Sequence, residues 1–265
     1  MVRKAATTKV APVSSSKKYW KTYLTQVIAR IDFAEPLTLP KKGPSERIVN
    51  ALKKEFPLPE LKVTRMKEVE IGLTGHPQQT FKEIKEWNYH GKKRNKRIVI
   101  TSDCLVLEYA KYNNFEVLQS DFITAVNALF ADFKDLQVRR FGVRYINKID
   151  LNNEPNLTEW EKYLDKNLLT TLNLVEDPST LVRALHVLEQ KFDDESRLRF
   201  QFGMPNPDYP ASVHRKVFLL DTDVYRDLLM TQDEIKQDIV TFHDRCNDRF
   251  ERAITDQLRE KMKGK

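Results

Sequence analysis

The chain has 265 residues and a mass of 31.2 kDa, and its 40% hydrophobic and 10% aromatic content is enough for a substantial core and too high for a disordered chain. No apolar run approaches the roughly 18–20 residues that cross a bilayer, the first residues lack the apolar stretch of a secretory signal, and Cys104 and Cys246 alone make neither a disulfide framework nor a metal knuckle. Of the 45 basic residues, seven precede Asp32, the first acidic one, so the net charge of +7 sits at the N-terminus and the remaining 38 cations balance 38 acidic residues. These features predict a soluble, reduced, cytoplasmic protein with no membrane partner. Its balanced body follows a basic, flexible tail over residues 1–18, which is expected to aid solubility and to touch polyanions only weakly.

Residues 23–33 read as a first strand, closed by Pro36 and Pro40. Ser45 caps a short helix with Ile48, Leu52 and Phe56 at helical spacing, and Pro57 and Pro59 stop it. Residues 63–73 and 81–89 alternate charged and apolar positions, as half-exposed strands do. After a turn at Gly91, strands over 97–101 and 105–109 are joined by the tight turn Ser102-Asp103. Residues 116–133 form a helix whose stripe is Phe122, Ala125, Val126, Leu129 and Phe133.

The next strand, residues 139–151, is the most informative. Period-two alternation points Phe141, Val143, Tyr145, Ile149 and Leu151 one way and Arg140, Arg144, Lys148 and Asp150 the other. Asn147 falls on the apolar face and Ile146 on the charged one.

Asn152-Asn153-Glu154-Pro155 is a linker signal, and Thr158-Glu159-Trp160-Glu161 a capping box opening a short helix. Strands follow over 181–192, 197–203 and 216–224, the last two separated by the proline-rich loop 204–210. A second capping box, Thr231-Gln232-Asp233-Glu234, opens a long terminal helix with the stripe Ile235, Ile239, Phe242, Cys246, Phe250, Ile254 and Leu258. Residues 97–133 and 216–254 both run from strand into long helix, without identity strong enough to prove a repeat. The expected fold is α+β: two antiparallel sheets, each covered by a long helix, in a pseudo-duplicated arrangement with an N-terminal half over 19–151 and a C-terminal half over 152–265.

Chemistry-bearing motifs are sparse. Glycines at 43, 72, 75, 91, 142, 203 and 264 cannot build a phosphate loop, and histidines at 76, 90, 186, 214 and 243 lack metal-ligand spacing. Glu60/Lys62, Glu83/Lys85 and Glu234/Lys236 match half of a nuclease metal site, a pattern common by chance in a chain with 31% charged residues. His243 and Cys246 stand three apart on the last helix, where Cys246 also fits the apolar stripe. No catalytic residue, metal site or cofactor is predicted.

Two polar groups remain. Lys92, Lys93, Arg94, Lys96 and Arg97 follow Trp87, Tyr89 and His90, a composition that can hold a nucleic-acid strand but more commonly marks a solvated hairpin tip, since turns are usually charged. Arg140 and Arg144 facing Asp221 and Asp223 across two sheets would lock the halves or form a recognition surface, with Asn147 satisfying buried backbone groups.

The segment Arg140-Phe141-Gly142-Val143-Arg144-Tyr145-Ile146-Asn147-Lys148-Ile149 resembles the hallmark strand of a sporadically distributed, uncharacterised prokaryotic family of about 250 residues. Val27-Ile28-Ala29-Arg30-Ile31-Asp32-Phe33, Leu219-Leu220-Asp221-Thr222-Asp223-Val224 and Phe250-Glu251-Arg252-Ala253-Ile254-Thr255 are similar in the same order. The resemblance spans most of residues 24–262 and excludes the tail. It implies no catalytic residue, and its patchy distribution implies horizontally moved genes and accessory roles in defence or toxin–antitoxin systems. The expected function is a non-enzymatic protein-interaction module with a protein partner, accessory, neutralising or chaperone-like, with homo-oligomers allowed. The alternatives are a nucleic-acid-binding accessory protein and, third, a metal-dependent nuclease.

Overall fold

The computed structural model describes residues 19–40, 43–71, 77–151, 157–177, 180–211, 213 and 217–264. The basic tail, the linker signal at 152–155, His76 and His214 lie outside them. Strands β1 (Leu24–Phe33), β2 (Leu58–Ile71), β3 (Pro77–His90), β4 (Lys96–Ile100), β5 (Cys104–Tyr109), β6 (Val138–Asp150), β7 (Ala184–Lys191), β8 (Arg197–Met204) and β9 (Val217–Arg226) accompany four α-helices. These are α1 (Glu46–Leu52), α2 (Phe115–Asp132), α3 (Gln232–Ala253) and α4 (Asp256–Lys263). None of the described helices is long and apolar enough to cross a membrane.

The expectation of two sheets is overturned: all nine strands join one antiparallel sheet in the order β2-β3-β4-β5-β1-β6-β9-β8-β7. The central pair β1/β6 causes this. Val27 lies opposite Tyr145, Ala29 opposite Val143 and Ile31 opposite Phe141, so hydrogen bonding runs unbroken across the midline. On the far side of β6, Val143 faces Val224 and Tyr145 faces Thr222 of β9. Alternation in a sequence identifies a strand and its faces, but the ladder partner depends on which apolar faces coincide in space. From β1 and β6 outward, the order β5-β4-β3 on one side corresponds to β9-β8-β7 on the other, each arm followed by its helix.

Both long helices cover the same face. Phe141 of β6 stacks between Phe122 of α2 and Phe242 of α3, each ring pair 5.3 Å between centroids. Asn114 caps α2 by accepting from the Val117 amide, and Thr231 and Glu234 form a reciprocal capping box on α3. Residues 157–174 form short 3-10 turns, and Trp160 packs on Phe218 5.5 Å away.

The terminal helix divides, against the expected unbroken run. Ile254 is extended, Thr255 caps α4, and the Ala253 carbonyl and Thr255 amide bond to Asp165 and Tyr163 respectively. A β-branched residue followed by a good capping residue lets these outside partners replace the helical bonds. The opposite sheet face carries polar, partly exposed side chains from the central strands.

Candidate functional site

The register of β1, β6 and β9 determines what stands on the polar face. Asp32 lies opposite Arg140, Arg30 opposite Gly142, and Arg144 opposite Asp223. Arg144 donates from Nε and an η nitrogen to both carboxylate oxygens of Asp221, at 2.8 and 2.5 Å. These bonds raise the Arg144 guanidinium pKa above its ordinary value. Arg140 donates to Asp223 at 3.0 Å and stands 3.8 Å from Asp32, which also accepts from Arg30 at 2.8 and 2.6 Å. The Arg140 guanidinium lies over the Tyr225 ring, and a Cβ on Gly142 would stand 3.3 Å from it. Gly142 thus leaves room for the arginine to lie flat.

The two arginines and two aspartates expected on separate sheets are therefore neighbours on adjacent strands of one sheet. Asp221 is buried, whereas the Arg144 side chain is 40% exposed. Arg144→Ala is expected to cost about 2 kcal/mol, less than a fully buried pair because water reaches the guanidinium. Urea denaturation measures this, and Arg144→Ala/Asp221→Ala should lose less than the sum of the single changes. Stability unchanged by Arg144→Ala would show that the pair does not brace the sheet.

The basic run meets a different fate. Arg94 bonds Glu60 at 3.1 Å, and Arg97 holds Glu108 at 2.8 and 2.6 Å. The Lys96 side chain is mostly covered, with its ammonium 2.6 Å from Asp121, 3.1 Å from Glu55 and over the Phe56 ring. Only Lys92 and Lys93 of the five are exposed and without an ion pair among the described residues.

No family model, curated protein or solved structure matches the chain.

The Glu-x-Lys pairs do not converge. Glu83 pairs with Arg65, Lys62 stands 3.7 Å from Glu86, and Glu234 is occupied with the α3 cap. No group of three or more metal-ligating side chains gathers among the described residues. Cys246 is buried, its Sγ 3.6 Å from the Val143 carbonyl, and burial pushes its thiol pKa well up.

A cavity of about 460 Å³ opens between β6, α3 and residues 19–24 and 111–116. Within it the Tyr145 hydroxyl is 2.7 Å from His243 Nδ1 and 3.5 Å from the Tyr112 hydroxyl. Phe115, in the turn set by the Asn114 cap, stacks on the His243 ring at 3.9 Å and 4°. Burial holds the His243 pKa down at about 4, so its ring is neutral at neutral pH.

Asn147 lines this cavity, and its amide makes no side-chain hydrogen bond among the described residues. It does not serve as the expected backbone staple. Its backbone lies opposite Leu24 and Leu220 in the two flanking ladders. The grouping of Tyr112, Tyr145 and His243 escapes sequence reasoning. The one local signal is the amide two residues after Tyr145 on an otherwise apolar face.

Proposed function

We propose that the protein is a non-enzymatic, cytoplasmic interaction module, accessory, neutralising or chaperone-like, that engages a partner protein by strand addition. The supporting observation is the pair of terminal strands β2 and β7, each with one ladder neighbour among the described residues. Sheet edges in soluble proteins are usually blunted by charge, proline or cover, because unpaired amides and carbonyls invite another strand. Here β7 exposes Leu185, Val187 and Leu188, the last two 48% and 54% exposed. On β2, Leu61, Val63 and Met66 are exposed. The β2–β3 hairpin also runs beyond the sheet, since β4 pairs with β3 only from Trp87 to His90.

The nucleic-acid reading has less support, because Arg94, Lys96 and Arg97 are already neutralised by carboxylates. The tagged full chain should recover a partner protein from cell extract. Leu185→Lys/Val187→Lys, which alters only exposed side chains of β7, should lose that partner while unfolding at the wild-type urea concentration. Retention of the partner by this variant and by Leu61→Lys/Val63→Lys would refute edge docking. Recovery of nucleic acid, steeply released by salt, would favour the alternative.

A further inference from the structure

The cavity beside β6 is a second kind of site, independent of the sheet edges. Its distinguishing element is Asn147, 6% exposed, on the cavity wall and without a side-chain partner among the described residues. A primary amide carries one acceptor and two donors, and that of Asn147 is not sealed off but opens onto the cavity, where an occupant can reach it. On an otherwise apolar strand face, this amide gives the cavity wall a donor and an acceptor that can fix a ligand's orientation.

The surroundings narrow the chemistry of the occupant. Tyr145 and His243 bond one another, and His243 is covered by Phe115, so the deep end offers polar atoms but no charge. Lys111 and Glu116, of opposite sign, are exposed positions of the 111–116 wall. Tyr112 and Phe250 add aromatic surface, and the volume of about 460 Å³ lies within the range of small-molecule sites. Such a site disfavours an inorganic anion and accommodates a neutral planar ring whose edge presents a donor beside an acceptor. An asparagine amide meets that edge with two parallel hydrogen bonds, as it does on adenine.

We propose that this cavity binds a nucleobase-bearing small molecule, a free base or nucleoside, with Asn147 reading the hydrogen-bonding edge of the base. Calorimetric titration of the full chain with adenosine, guanosine, cytidine and uridine tests it. At least one should bind saturably with one-to-one stoichiometry and raise the melting temperature. Asn147→Leu should weaken that binding by about tenfold or more, the loss expected for removing paired hydrogen bonds. Asn147→Asp presents acceptors only and should shift preference toward guanosine, whose base offers adjacent donors. A purely structural role for Asn147 would not move that preference. If no nucleoside binds wild type at millimolar concentration, or Asn147→Leu binds as wild type does, the assignment is overturned. Should Asn147→Leu fail to fold, the wild-type titration and the Asn147→Asp preference still decide.

Discussion

Phe141→Ala is expected to lower the unfolding free energy by about 3–5 kcal/mol, the loss that follows from emptying the site of a fully buried aromatic ring. The Phe141 side chain is completely buried at the middle of the sheet. Its ring is the common contact of both long helices, stacked on Phe122 at 19° and on Phe242 at 20°. Cavity cost depends on how far the walls can close, and these walls are constrained. The β6 backbone is hydrogen-bonded to β1 on one side and β9 on the other, so it cannot rise to fill the gap. For α2 and α3 to close in, their contacts with the rest of the core would have to shift. Phe141→Leu, which leaves less empty volume, should lose markedly less. Urea denaturation followed by circular dichroism measures both. A loss below about 1 kcal/mol for Phe141→Ala would mean that the helices collapse onto the sheet after all.

Lys96→Met is expected to cost about 3 kcal/mol, because it leaves a buried carboxylate without its cation. Lys96 and Asp121 have side chains only 12% and 6% exposed and stand 2.6 Å apart. Tyr109 also donates to Asp121, but a hydroxyl supplies no compensating charge. Methionine retains the apolar stem against Phe56, so the loss isolates the charge rather than the packing. Glu55 is the lesser partner, more than half exposed and well solvated without the lysine. Lys92→Ala and Lys93→Ala, on the same hairpin, should stay within about 0.5 kcal/mol of wild type. Lys96→Met/Asp121→Leu should recover part of the loss, and the same denaturation series measures all of these. Stability close to wild type in Lys96→Met would return Lys96 to the pool of cations available for a polyanion. The contrast also bears on function: a binding defect in a Lys96 variant would first report damage to the fold.

Strands and helices were legible where a single period dominated. Phe122, Ala125, Val126 and Leu129 of α2 lie in the core, as does the α3 stripe from Ile235 to Cys246. Ser45 and Thr231 cap their helices, since a cap needs only the few residues beside it. Sheet assembly was not legible. Alternation in β1 and β6 is as compatible with the edges of two sheets as with neighbours in one. The split of the terminal helix was hidden for a similar reason: Ile254 continues the helical period, and its departure depends on the backbone of Tyr163 and Asp165, about ninety residues earlier.

The candidate sites divide along the same line. Which residues are charged, which face each takes and that Asn147 interrupts an apolar face all follow from residue type and local spacing. What those residues do depends on partners that only long-range folding supplies. Arg140 and Arg144 meet Asp223 and Asp221 because β9 lies beside β6; Lys96 is neutralised because α2 brings Asp121 to it. Asn147 faces a cavity because α3 and residues 111–116 converge on the end of β6. Periodicity is a property of contiguous residues, whereas pairing, burial of charge and cavity formation arise between segments far apart in the chain.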